Sequence, residues 1–116
     1  MNMNSILNAI KKQLGIEESY IVFDADIIMA INSVFLIFHQ LGLGPAVCYR
    51  IEDENNTWDE FTDSPDMEAI KTLMYMRVKL MFDPPQSSSL IDAYKLQIAE
   101  LEWRLNLQHE DGETTL

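Results

Sequence analysis

The sequence has a single cysteine, few basic residues and no apolar run long enough to cross a bilayer. One cysteine, Cys48, excludes a disulfide within the chain, and the polar start, MNMNSILNAIKKQ, has no signal-peptide pattern. Both features predict folding in a reducing cytoplasm. The longest apolar segment, 27–38, contains Asn32 and Ser33 and is too short for a bilayer, so we expect a core helix and no membrane contact.

Basic residues are scarce relative to acidic ones, which gives a formal net charge of −11. Eight of the nineteen acids lie between Glu52 and Glu68, where the sequence has no Lys or Arg. An acidic surface repels the nucleic-acid backbone, which argues against direct binding of DNA or RNA. The simplest role of these acids is to keep the protein soluble.

The first half of the chain shows helical periodicity in two places. A helix over about 4–14 is predicted to be capped by Asn4 or Ser5 and to end at Gly15. A second helix, over about 24–41, is predicted to have Asp24 as its N-cap and to end at Gly42. Its apolar residues continue nearly all the way round, which predicts the central and most buried helix.

The second half begins with a long connection. AVCYRI, at 46–51, has the composition of a short strand or hairpin arm, and the acidic residues after it predict a loop up to residue 63. A third helix is predicted from Ser64 as N-cap, with Pro65 in its first turn, to the residue before Asp83. The fourth is predicted to start at Ser89 and to end at about Gln108.

These elements predict a mainly α protein, a small bundle of about four helices with a long acidic loop and a possible short β-hairpin between the second and third. The apolar content of 47% is sufficient for one folded domain. We expect that domain to cover residues 1–108 and to be followed by a flexible acidic tail over 109–116.

No arrangement typical of catalysis or of metal binding is present. His39 and His109 are far apart, and we interpret His39 as a structural histidine in a buried helix and Cys48 as a small buried residue. The spacing over 53–59 faintly resembles a calcium loop, but Trp58 stands where glycine is needed and Ser64 where the bidentate glutamate belongs. The sequence therefore predicts no enzyme, no catalytic residue, no metal and no cofactor.

Arg77 is an unusual residue in the third predicted helix, because it falls in the middle of an apolar arc. A guanidinium in that position must reach solvent or meet a carboxylate. We expect a structural ion pair, with an acidic partner within hydrogen-bonding reach, inside the fold or at a subunit contact.

The fourth predicted helix has two apolar faces. One is an ordinary core-facing stripe, formed by Leu90, Ile91, Tyr94, Ile98, Leu101 and Leu105. The other lies on nearly the opposite side. Either the helix is sandwiched within its own fold, or its second face meets another subunit or partner, and we favour the second interpretation. The residues predicted for that interface are Leu96, Trp103, Arg104 and Leu107, together with Trp58 and Phe61 of the acidic loop.

The order of short motifs along the chain resembles that of the small head–tail connector (adaptor) proteins of tailed phages that infect Gram-positive bacteria. The motifs are LGI at 14–16, FDADI at 23–27, INSVF at 31–35, QLGLGP at 40–45, WDEF at 58–61, YMRVKLMFDPP at 75–85 and LEWRLN at 101–106. The combination of FDPP with LEWRLN at this distance is the most specific part of the resemblance.

The resemblance implies a virion protein whose copies form a ring, dodecameric in the virion, beneath the portal protein. Such a ring extends the DNA channel after packaging, lets DNA pass during ejection without specific binding, and joins the capsid to a head-closure (stopper) or tail-completion protein. In that family the long C-terminal helix commonly engages the portal side. No catalytic residue is implied.

A ring gives the acidic loop a possible role, because a negative lumen wall repels passing DNA. The residues predicted to form this lumen or to meet the next ring are Glu52, Asp53, Glu54, Asp59, Glu60 and Asp63. Two alternatives stay open. One is an acidic helical binding module, a DNA mimic or anti-repressor, which occupies a basic partner surface. The other is a subunit of a non-phage helical assembly.

Overall fold

The protein folds as a set of helices around one apolar core. In the computed structural model, the backbone is described for residues 4–114 and the side chains for residues 4–106. The helices are α1 (Ile6–Gln13), α2 (Asp24–Gln40), α3 (Trp58–Phe61), α4 (Met67–Phe82) and α5 (Ser88–Thr114). The predicted mainly helical fold is confirmed. The described backbone contains no strand, only an isolated bridge between Ser5 and Thr57.

Both ends of α1 follow the predicted capping pattern. The Ser5 hydroxyl accepts a hydrogen bond from the Asn8 N–H at 3.2 Å, which satisfies a free donor of the first turn. At the other end, Gly15 takes a positive φ of 81°. The Ile16 N–H then donates to the Lys11 carbonyl at 2.8 Å, which closes a Schellman motif.

The start of α2 differs from the prediction because Asp24 pairs with a lysine and does not cap the helix. Phe23 occupies the N-cap position and Asp24 is the first helical residue. The Asp24 carboxylate lies 2.8 Å from the Nζ atom of Lys11, whose side chain is fully buried. A buried ammonium requires a counter-charge, so Asp24 forms an ion pair instead of capping its own helix.

The helix α2 packs on α1 and α4, but it is not enclosed on all sides. Its core side is fully buried and consists of Ile27, Ile31, Val34, Phe35 and Phe38, with Ala30 beside them. Met29 and Leu36 are exposed on the opposite side. His39, in the last turn, is also exposed, although it lies in the helix that was predicted to be the most buried.

No hairpin forms at 46–51, because a side chain supplies the hydrogen bonds that a partner strand would have supplied. Asn32 Nδ2 donates to the Ile51 carbonyl at 3.0 Å, and the Ile51 N–H donates to Asn32 Oδ1 at 2.8 Å. The loop that follows is held to α1 by two backbone hydrogen bonds. The Ile6 N–H donates to the Asn56 carbonyl at 3.1 Å, and the Trp58 N–H donates to the Asn4 carbonyl at 3.2 Å.

The helix α4 begins later than predicted. The Ser64 hydroxyl accepts from the Asp66 N–H at 3.1 Å, which makes Ser64 and Pro65 part of a turn before the helix rather than its cap. The helix ends at Phe82 with Asp83 as its C-cap, as the following proline requires.

Ser87, and not Ser89, caps α5. Its hydroxyl accepts from the Leu90 N–H at 3.4 Å and its carbonyl accepts from the Ile91 N–H at 3.1 Å. The helix continues through Thr114, beyond the predicted end at Gln108. The predicted tail is therefore helical up to that residue, and residues 115–116 lie outside the described part of the chain.

We expect Asn32→Ala to lower the free energy of unfolding by about 1–3 kcal/mol, because it leaves the buried N–H and C=O groups of Ile51 without partners. Urea unfolding measures this change. The matched control is Ser33→Ala on the exposed side of the same helix, which should change stability by less than about 0.5 kcal/mol. Equal effects of the two substitutions would show that Asn32 does not hold the segment.

Candidate functional site

The corner between α4 and α5 determines how α5 lies against the fold. Arg77 Nε of α4 donates to the Glu102 carboxylate of α5, so the acidic partner of Arg77 is Glu102. Nearer the corner, burial and a hydrogen bond with Tyr94 raise the pKa of Tyr75. These contacts join the two helices along one side of α5 only.

Along the middle and later part of α5, the residues that face the fold are those of the predicted core-facing stripe. Ile98 and Leu105 are buried, and Ile91, Tyr94 and Leu101 are half-buried. Leu90 is an exception, because it is exposed in the first turn of the helix. The core-facing stripe therefore begins at Ile91.

The opposite side of α5 is uncovered in the protomer. The exposed fractions of Leu96 and Trp103 are 72% and 63%, which are high values for large apolar side chains. Arg104 beside them forms an exposed ion pair with Glu100 at 2.7 Å. The side chain of Leu107 lies outside the described residues. We call Leu96 and Trp103 with Arg104 the outer face of α5.

Trp58 and Phe61, which were predicted to belong to an interface, are buried in the core of the protomer. Their exposed fractions are 2% and 4%, because the short helix α3 directs both into the core. The Phe61 ring lies 4.8 Å from the ring of Phe35, centroid to centroid. It also lies so close to Gly44 that a Cβ atom there would come within 2.4 Å of it. A partner finds no free surface on either aromatic residue.

The sequence did contain a signal for this helix. Thr57 and Glu60 have capping-box spacing, and both hydrogen bonds of the box are present in the structure. Trp58 and Phe61 are three residues apart, which places them on one side of a helical turn. The acidic composition of the surrounding segment concealed this pattern.

The acidic loop is held in a defined shape, with its carboxylates directed to solvent. Asn56 Oδ1 accepts from the backbone N–H groups of Glu52 and Asp53, at 2.7 and 3.2 Å. Asn4 Nδ2 donates to the Asp59 carboxylate at 3.0 Å. The acidic residues predicted to line a lumen or to meet the next ring are all exposed: Glu52, Asp53, Glu54, Asp59, Glu60 and Asp63.

Glu60 is the most strongly hydrogen-bonded of these acids. The hydroxyl of Tyr49 donates to Glu60 Oε1 at 2.8 Å, and the Thr57 N–H donates to the same atom at 3.2 Å. The bonds from Tyr49, Asn56 and Thr57 lower the pKa of Glu60 below 4.5. Burial and the nearby carboxylate raise the pKa of Tyr49.

The described residues offer little for other kinds of site. They contain no group of three or more His, Cys, Asp or Glu side chains that could hold a metal ion. None of their helices has the length and apolar character needed to cross a membrane. Cys48 is a half-buried free thiol.

Comparison with models of protein families finds a match over residues 6–112 to a family described as phage connector protein. The match covers α1 through nearly all of α5. No curated protein and no solved structure matches the chain.

The two tryptophans should respond differently to truncation. We expect Trp58→Ala to lower the free energy of unfolding by about 3–5 kcal/mol, because it empties a core position. Trp103→Ala should lower it by less than about 0.5 kcal/mol, because most of that side chain is in solvent. Urea unfolding of the free protein compares them, and a large loss for Trp103→Ala would mean that the outer face is covered.

Glu60 should contribute to stability in a pH-dependent way. Its pKa is lower in the folded state than the ordinary 4.5, so its contribution is complete above that value and is lost as the pH falls through the folded-state pKa. The difference in unfolding free energy between the natural chain and Glu60→Gln should therefore shrink below pH 4.5. Tyr49→Phe removes the hydroxyl that donates to Glu60 and should reduce this pH dependence. A difference for Glu60→Gln that is independent of pH would contradict the assignment.

Proposed function

The chain belongs to the phage connector protein family, and on that premise we propose that it is a head–tail connector whose copies form a ring beneath the portal protein. Membership of the family implies contacts with other virion structural proteins and a location in the virion neck. The proposed ring extends the DNA channel and carries a head-closure or tail-completion protein on its far side. Its role is structural rather than catalytic.

The observation that carries this proposal is the uncovered outer face of α5. A helix that packs on its own fold along one side only, and presents Leu96 and Trp103 to solvent, has a free surface suited to a partner. A tryptophan flanked by an arginine is a typical anchor of protein interfaces. We assign this face to the portal side, in agreement with the use of C-terminal helices that the family resemblance implies.

The acidic loop supports the same proposal, because DNA has to pass through the proposed ring without binding to it. Six exposed carboxylates on an ordered loop form a lasting negative surface, which repels a duplex and prevents it from adhering to the channel wall. We assign this loop to the lumen wall or to the surface that meets the next ring. A dodecameric ring, assembly in the host cytoplasm and a Gram-positive host stay predictions.

Imaging of purified portal rings incubated with the protein tests the proposal directly. We expect one added layer of density beneath the portal. Replacing both Leu96 and Trp103 by alanine should weaken its binding by about 30-fold or more, as loss of an anchor of about 2 kcal/mol does. Leu90→Ala, in the first turn of the same helix and outside the outer face, is the matched control and should bind normally.

The proposal fails if the natural chain adds no layer to the portal and binds no neighbouring tail-completion protein. A stable monomer that instead binds a basic regulatory protein would favour the acidic binding module.

A further inference from the structure

The connection between α1 and α2 presents apolar side chains to solvent on a rigid support. The exposed fractions of Ile21 and Val22 are 69% and 67%, and Tyr20 beside them is half-exposed. Residues 17–23, which we call the apolar loop, also contain Glu17 and Glu18 at the start. Four large apolar side chains in succession, at 20–23, are unusual in a segment outside the core.

Buried Lys11 holds the apolar loop at both ends. Its Nζ atom donates to the Glu18 carbonyl at 2.9 Å and lies 2.8 Å from the Asp24 carboxylate. Phe23 adds ring contacts with Tyr20 and with Phe82, at centroid distances of 5.7 and 5.5 Å. A loop fixed in this way binds without first losing much conformational freedom, which favours affinity.

A groove with complementary properties lies along the exposed side of α2. It has a volume of about 810 Å³ and runs between the helix and the extended segment 48–52. Met29 and Leu36 form its apolar wall, and the opposite wall carries two charged residues, Arg50 and Glu52. We call it the α2 groove.

The charge of Arg50 sets the groove apart from its surroundings. It is the one Lys or Arg between Lys12 and Lys71, a stretch that contains twelve acids. Within the described residues its guanidinium forms no ion pair, which it shares with Lys12 and Lys95, whereas the other five Lys and Arg residues are paired. Glu17 and Glu18 likewise form no ion pair there. A mainly apolar segment with acids at one end therefore fits this groove if those acids lie at Arg50 and not at Glu52, which is two residues further along the same segment. The apolar loop has that composition, because its acids are confined to Glu17 and Glu18.

We propose that the apolar loop of one copy docks into the α2 groove of a second copy, with Glu17 and Glu18 facing Arg50. The two surfaces differ, so the contact is head-to-tail, and such contacts close into rings when the rotation between copies permits it. The outer face of α5 is a poorer occupant, because Lys95 and Arg104 beside it do not attract Arg50. The inference rests on the proposed ring and names the contact that forms it.

The natural cysteine provides a test, because Cys48 lines the α2 groove. We introduce Ser19→Cys, a nearly isosteric change at an exposed position of the apolar loop that leaves Ile21 and Val22 intact. The purified full chain, at millimolar concentration, is treated with a short bis-maleimide, which traps weak contacts. Head-to-tail docking should give a ladder of trimers and larger species, with peptide mapping that joins position 19 to Cys48.

Two variants control this experiment. Ser89→Cys introduces the same thiol at another exposed serine, in the first turn of α5, and should give no ladder. Cys48→Ser combined with Ser19→Cys removes the acceptor, so products should stop at dimers. A ladder from Ser89→Cys alone, a join between two copies of position 19 only, or no ladder at all would overturn the inference.

Charge exchange tests the polar part of the contact. Arg50→Glu in the Ser19→Cys background should slow ladder formation by about 2- to 5-fold, the size of effect typical of one exposed ion pair. Adding Glu17→Lys and Glu18→Lys should restore it. A cross-linked ladder together with no added layer on the portal would contradict the proposed function but support this contact. An added layer on the portal together with no ladder would support the proposed function but contradict this contact.

Discussion

The fold depends on the corner at Asp83, Pro84 and Pro85. A residue that precedes a proline is driven out of the helical conformation, so α4 has to stop at Phe82 whatever follows. The chain then restarts at Ser88 in a new direction, and the ion pair between Arg77 and Glu102 fixes which side of α5 turns toward α4. Without this break, one long helix would leave α4 and α5 no way to pack on each other. The exposure of Leu96 and Trp103 is a consequence of the same geometry.

A second, independent constraint acts at the other end of the domain. The ammonium of Lys11 is buried, and an ion there is tolerated only where it has a counter-charge and polar partners. The carbonyl of Glu18 and the carboxylate of Asp24 are those partners, and they lie at the two ends of one loop. Because the Lys11 ammonium requires both partners, it fixes the connection between α1 and α2. The outer face of α5 and the apolar loop are thus each positioned by an ion pair with the domain, in addition to the apolar contacts of their own segments.

Local signals predicted those parts of the structure that local forces determine. The Schellman ending of α1 at Gly15, the end of α4 and the two faces of α5 all follow from residues within a few positions of one another. The possible hairpin at 46–51 does not form, and Trp58 and Phe61 are buried rather than exposed, because both features depend on distant residues. Asn32 provides the hydrogen bonds of the missing strand, and Phe35 and Phe38 form the pocket into which Phe61 packs. The burial of Lys11 was not predicted for the same reason. Its partners, the Glu18 carbonyl and the Asp24 carboxylate, reach it only because the connection between α1 and α2 folds back.

The charge of the protein and its apolar surfaces act against each other in assembly. At a net charge of −11, identical copies repel one another, and salt screens that repulsion over about 8–10 Å. A contact between copies therefore has to be short-ranged and apolar, with a cation where the surfaces meet. The α2 groove with Arg50 and the apolar loop satisfy both conditions. Their affinity is opposed by the long-range repulsion, so copies associate best where a partner already concentrates them. In the function that we propose, the uncovered outer face of α5 anchors each copy to another virion protein and so supplies that concentration. The anchoring contact and the contact between copies would then form in sequence during assembly.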